Sequence, residues 1–122
     1  MNGAPSFFEL GVEDADKARS FYGDLFGWNL PPGPSEGGYR INTPTIPGGV
    51  HGGDSGASPY IFFQVDDMDW ALLRVQQLGG TVQEADLGGD EESVAKYGRF
   101  KLCVDNQGSP FGLHQPPAQP AS

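Results

Sequence analysis

The chain is poor in cysteine, in basic residues and in long apolar runs. One of its 122 residues is cysteine, Cys103. A single thiol excludes an intramolecular disulfide framework and fits a reducing compartment. Seven Lys and Arg stand against sixteen Asp and Glu, a formal net charge of −9. Nucleic acid and anionic membrane surfaces both need a basic face, so neither is expected as a partner. Such acidity reads first as solubility. No apolar run approaches the ~20 residues of a membrane-spanning helix. The opening MNGAPSFFEL has no charged stretch ahead of an apolar core, so no export signal and a cytoplasmic location are expected. The glycine-rich GGVHGG lacks the Lys and Ser/Thr of a phosphate-binding loop.

Glycine and proline are plentiful, 19 and 11 residues, and gather in connections. Between them the chain repeats itself at an offset of 53, the step from Asp14 to Asp67. FFELGVEDADKARSFYGDLFGW (Phe7 to Trp28) and YIFFQVDDMDWALLRVQQLGGTV (Tyr60 to Val82) both read as strand, acidic turn, helix, glycine. A repeat fixes architecture before other signals do. Here it gives two half-modules, about 6–53 and 59–116, in one domain, with a cleft expected between them.

Local patterns fill in each module. Phe8, Leu10 and Val12 share one face of a first strand, with Phe7, Glu9 and Gly11 on the other. Asp14 is an expected N-cap, and Gly27 an expected C-cap. Ala18, Phe21, Tyr22, Leu25 and Phe26 recur at helical spacing and predict a buried stripe. Residues 31–38 predict a loop, 39–43 a strand, and 46–52 a weaker, glycine-rich strand where a backbone or ligand comes close. In the second module Tyr60, Phe62 and Gln64 oppose Ile61, Phe63 and Val65. Asp67 caps a helix whose stripe is Met68, Ala71, Leu72, Val75 and Leu78. A strand over 81–84, a loop over 86–98 and a strand over 99–104 follow, the last with Phe100, Leu102 and Val104 toward the core. Asp105 to Gly108 is a turn, 111–115 a last strand, and 117–122 a frayed tail. The fold class is α+β, with helices on the outer faces of curved sheets around a central cavity.

The strand–Asp–helix–FY–LFGW pattern, VDDMD, LGG and GRF…VDNQGSPFGLHQP together resemble the vicinal-oxygen-chelate superfamily of glyoxalases, bleomycin-resistance proteins and extradiol dioxygenases. The resemblance runs from about Phe7 to Pro116. It implies paired βαβββ modules and a homodimer. It also implies metal ligands at four positions. Three of these are Phe7, Tyr60 and Gly112 here, and the fourth has His51 as its candidate. Phe and Gly offer no donor atom, and neutral Tyr is a poor one. Glyoxalase or dioxygenase chemistry therefore does not carry over, and no metal or other cofactor is expected.

Other candidates come from strand parity. Glu9, His51 and His114 suit the face opposite the helices, and as a His₂Glu set they are the alternative, relocated metal site. Each also has a plain reading: Glu9 half-exposed or paired with Lys101, His114 hydrogen-bonded near an edge, His51 in a solvated loop. Phe7, Tyr60 and Phe62 form an expected aromatic wall, with Trp28 beside it or at a subunit contact. The other reading of that wall is rings that fill the cavity themselves. Arg99 and Lys101 either grip an anionic ligand or neutralise Glu91 and Glu92. Cys103 shares their parity and reads as an inert buried thiol.

The expected function is metal-free binding of a small aromatic or apolar molecule, with Phe7, Trp28, His51, Tyr60, Phe62, Arg99 and His114 as ligand-binding residues. The alternative is a lyase, isomerase or dioxygenase with Glu9 as catalytic base or a relocated metal. A third reading is an interaction module with a filled cavity.

Overall fold

The computed structural model describes residues 2–33, 37–56, 59–87 and 91–117. The centres of the expected loops (34–36, 57–58, 88–90) and the expected tail beyond Pro117 lie outside the described residues. The elements run β1 (Pro5–Gly11), α1 (Ala15–Phe26), β2 (Gly38–Ile41), β3 (Gly48–His51), β4 (Tyr60–Gln64), α2 (Met68–Gln77), β5 (Thr81–Leu87), α3 (Glu91–Tyr97), β6 (Arg99–Val104) and β7 (Pro110–Gln115). The fold is α+β. No helix among the described residues is long and apolar enough to cross a membrane. The chain clusters into two compact units, Phe7–Ile61, and the residues before Phe7 together with those from Phe62 onward.

In the Phe7–Ile61 unit the strand order is β2-β3-β1. β1 and β3 are parallel, with Glu9 beside Gly49 and Gly11 beside His51. β2 and β3 are antiparallel, with Arg40 beside Gly49. Asp14 caps α1 as its sequence predicts, its carboxylate accepting from the N–H groups of Asp16 and Lys17 at 3.0 and 3.1 Å. Gly27 ends the helix in the left-handed region, φ 71°, which glycine enters at no steric cost. Ala18, Leu30, Ile41 and Val50 form the core, with Phe8, Leu10, Val12, Tyr22, Trp28 and Tyr39 packed against it. The strand that would follow α1 in a full βαβββ module shrinks to two isolated bridges, Asn29–Asn42 and Pro32–Tyr39. Pro31 and Pro32 have no N–H to give a ladder.

The second unit has the order β4-β7-β6-β5. β4 and β7 are parallel, and β6 pairs antiparallel with both β7 and β5. Asp67 caps α2 by accepting from the Trp70 N–H at 3.1 Å. Val65, Met68, Ala71, Cys103 and Leu113 form the core under α2.

Three expectations change. The stripe on α1 is too wide: Phe21, Leu25 and Phe26 are 61, 58 and 56 % exposed, as is Leu78 at the end of α2 at 61 %. The helix meets its sheet through the small Ala15 and Ala18, which are buried, so larger residues further round its surface face outward. In β6 the side facing the α2 core is that of Cys103, fully buried, and not that of Phe100, Leu102 and Val104. The loop expected over 86–98 contains α3, a helix with no buried residue and hence no apolar period to announce it.

Candidate functional site

The face of β1 and β3 turned away from α1 carries Phe7, Glu9, Gly11, Gly49 and His51 by strand alternation. Glycine makes the floor of this face. A Cβ on Gly49 would lie 2.5 Å from Glu9 Oε2, so only glycine there lets the Glu9 carboxylate lean across β3. Leaning brings Glu9 Oε1 to 2.9 Å from His51 Nδ1. Beyond β3 the chain turns at Gly53, φ 71°. The Asp54 N–H then donates to the Val12 carbonyl at 2.9 Å, which holds Asp54 beside the histidine. Its Oδ2 sits 2.9 Å from His51 Nε2.

The result is a linear array, Glu9–His51–Asp54. Both ring nitrogens meet carboxylate oxygens, and a carboxylate only accepts. Both contacts are hydrogen bonds when the imidazole carries two protons, or when one carboxyl carries a proton in its place. The electrostatics agree. Burial raises Glu9 above the ordinary carboxylate value, and its bond to His51 only partly offsets this. Burial alone would lower His51, but the bonds and charges of Glu9 and Asp54 outweigh it and raise the imidazole. The array therefore keeps a proton to higher pH than its separate groups would. It also reaches solvent, since the His51 and Asp54 side chains are 40 and 37 % exposed.

His114 sits in the second unit and is set differently. Its Nε2 lies 2.9 Å from the Tyr97 carbonyl, so that nitrogen donates. Its Nδ1 accepts from the Ser6 hydroxyl at 2.9 Å. Burial lowers the imidazole despite the Tyr97 bond, which keeps it neutral with its lone pair taken by Ser6. The ring stacks on Phe100, centroids 4.3 Å apart and planes 6° apart. Phe62 meets Phe100 edge-on at 5.4 Å.

These contacts redraw the sequence-derived site. His51 and Glu9 come together as their parity suggests. Both nitrogens of His114 are bonded within its own unit. The His51 nitrogens are likewise engaged, and the described residues hold no three-residue cluster of His, Cys, Asp or Glu arranged for a metal. The superfamily's ligand positions fit a metal no better. A Cβ on Gly112 would run into the Phe62 ring, so the space for a side chain there is filled. Phe62 is 2 % exposed and His114 8 %, so both are packing residues in this structure and not an open wall. Trp28 lies on the α1 side, against Phe8 at 5.8 Å and Phe26 at 4.7 Å. Arg99 pairs with Asp69 on α2 at 3.2 Å, not with Glu91 or Glu92 or toward the Phe62 face. Phe7 and Tyr60 remain half-buried. Asp54 escaped the sequence reading because it lies in a glycine-rich connection. Its signal was the three-residue spacing from His51, which a turn can close.

The bleomycin resistance protein-like N-terminal family matches residues 6–41. Anthracycline biosynthesis protein DnrV of Streptomyces peucetius is 30 % identical over 132 residues, covering 91 % of this chain and 46 % of DnrV. DauV of Streptomyces sp. (strain C5) is 29 % identical over the same shares. The chain thus spans about half the length of these curated relatives. Among solved structures, methylmalonyl-CoA epimerase from Mycobacterium tuberculosis superposes with a TM-score of 0.62 at 18 % identity, covering 95 % of this chain and 89 % of the epimerase. A glyoxalase/bleomycin resistance protein/dioxygenase superfamily member from Vibrio splendidus 12B01 gives 0.62 at 17 %, covering 89 and 96 %. At such identities these two share the glyoxalase-like fold with this chain. The family-model match, the curated relatives and the shared fold together support the resemblance of this chain to the vicinal-oxygen-chelate superfamily.

Proposed function

We propose that the protein binds a small, flat, oxygenated aromatic molecule without a metal, on the glycine-floored face of β1 and β3. The observation that carries this reading is the Glu9–His51–Asp54 array, a proton-rich hydrogen-bonding centre on that face. Binding sites of this kind need an apolar surface and a few fixed polar groups. Phe7 and Tyr60 supply apolar surface, and the array supplies orientation. The ligand class draws on the relatives, which are named for anthracycline biosynthesis. Anthracyclines are fused aromatic quinones with hydroxyl groups, which such an array would recognise. A homodimer belongs to the same proposal, since the curated relatives have about twice this length of chain; light scattering that gives the mass of one chain would remove it.

A ligand that binds only the folded state raises its melting temperature by mass action. The expected result is a shift of several degrees with daunorubicin or 1,8-dihydroxyanthraquinone, and a smaller one in Glu9→Gln. No shift with either compound would end the proposal.

One observation favours catalysis as a second reading. Glu9 is raised by burial and bonded to His51, whose other nitrogen meets Asp54, the arrangement of an oriented general base. Turnover of a bound ligand that vanishes in Glu9→Gln, with the fold intact, would establish it. Binding without turnover leaves the first reading standing.

A further inference from the structure

Arg40 lies on the same face as the array, one strand beyond it. In the register Glu9 pairs with Gly49 and Gly49 with Arg40. Paired residues in a sheet point to the same side. The alternate residues of β2 confirm the direction. Ile41, fully buried, and Tyr39 pack in the α1 core, so Arg40 between them projects to the opposite face. It is half-buried there. Its backbone is fixed by an N–H···O bond to Pro31 at 2.8 Å. Among the described residues its guanidinium has no hydrogen-bond or ion-pair partner, although a carboxylate shares its row.

Neighbouring strands lie ~4.8 Å apart, so Glu9 and Arg40 are rooted about two spacings, ~10 Å, from each other. Glu9 covers one of these by leaning over Gly49. The remaining gap is the one strand spacing from Gly49 on β3 to Arg40 on β2. Along this row the Glu9 carboxylate and the Arg40 cation bound a notch, with His51 at its side.

We infer that Arg40 and Glu9 together select the ligand by its oxygens, the notch taking a carbonyl that has an acidic hydroxyl beside it. The hydroxyl donates to Glu9, and the carbonyl oxygen accepts from Arg40. This rests on the ligand-binding reading above and adds a chemical requirement to it. Arginine suits the task because its charge does not titrate and its donors are fixed in a plane. A flat aromatic lacking the oxygen pair would leave both groups desolvated and unmatched, which costs affinity.

The test uses the whole chain and two probes, 1,8-dihydroxyanthraquinone and anthracene, which has the same three rings and no oxygen, titrated by fluorescence quenching into wild-type protein, Arg40→Gln and Arg40→Lys. Circular dichroism confirms that each variant is folded. The hydroxyquinone is expected to bind wild type more tightly. Arg40→Gln should weaken it about ten- to a hundredfold, the loss of a charge-assisted bond, while leaving anthracene unchanged. Arg40→Lys should recover part of the loss. Equal affinity for the two probes, or no effect of Arg40→Gln on the hydroxyquinone, overturns the role of Arg40 and leaves ligand binding intact. Failure of both probes to bind any variant instead overturns the ligand-binding reading on which the inference stands.

Discussion

Replacing Gly112 with Glu is expected to unfold the protein. Gly112 is buried on β7 and pairs with Phe62. The ring of Phe62 lies where a side chain at 112 would start. A glutamate there must displace a ring that is 2 % exposed and bring a carboxylate into the same space. Overpacking alone costs about 1–3 kcal/mol. An unpaired buried charge adds several more. The sum is on the order of 5 kcal/mol, against a total stability of about 5–15 kcal/mol for an ordinary domain. Soluble yield and the urea midpoint should both fall sharply. The double variant Gly112→Glu, Phe62→Ala separates clash from charge, because it frees the volume the ring held. It should be more stable than Gly112→Glu alone, although Phe62→Ala by itself destabilises. Gly112→Glu with an unchanged midpoint would mean that Phe62 does not fill this space. The same variant has a functional meaning. Gly112 is one of the positions where the superfamily resemblance implies a metal ligand, and here the Phe62 ring fills the space of a side chain.

His114→Phe is expected to change how stability depends on pH. Phenylalanine keeps the stack on Phe100 but cannot bond Ser6 or Tyr97. Leaving a part-buried hydroxyl and carbonyl without their partner costs about 2 kcal/mol at neutral pH. The acid limb carries the clearer signature. Burial holds the native imidazole below its ordinary value of 6.5. Below that value the unfolded chain takes up a proton that the native state resists, so stability falls as pH falls toward and through the native pKa. One such group gives a slope of up to ~1.4 kcal/mol per pH unit. The variant lacks this contribution, so its urea midpoint should depend less on pH below 6.5 than that of wild type. His51 has the opposite sign. Its raised pKa stabilises the fold at low pH, and the contribution is lost as pH rises through the native value. His51→Gln should therefore flatten the limb above pH 6.5. Equal slopes in wild type and His114→Phe would show that the native His114 takes up its proton as freely as the unfolded chain does.

Much of the fold was legible because it rests on short-range rules. Asp14, Asp67 and Gly27 announce helix ends, and the repeat at an offset of 53 announces the second copy. The errors come from where those rules stop. Helical spacing marks Phe21, Leu25 and Phe26 as apolar but cannot say that α1 meets its sheet through two alanines. α3 carries no apolar stripe, so nothing in its seven residues separates it from a polar loop. In the site, strand parity placed Glu9 and His51 on one face correctly. It placed His114 and Phe62 there in kind, but it could not see that one is saturated by Ser6 and Tyr97 and the other seated over Gly112. Parity could also have found Arg40, between the inward Tyr39 and Ile41. Asp54 needed the Gly53 turn, which spacing alone does not give.

The most direct test of the account titrates 1,8-dihydroxyanthraquinone by calorimetry into protein stripped with chelator, and again after loading with zinc, iron(II) or nickel. Wild type is expected to bind one equivalent per chain in every case with the same affinity, and Glu9→Gln to bind far more weakly. Binding that appears only after a metal is added would contradict a site built from Glu9, His51 and Asp54 in place of an ion.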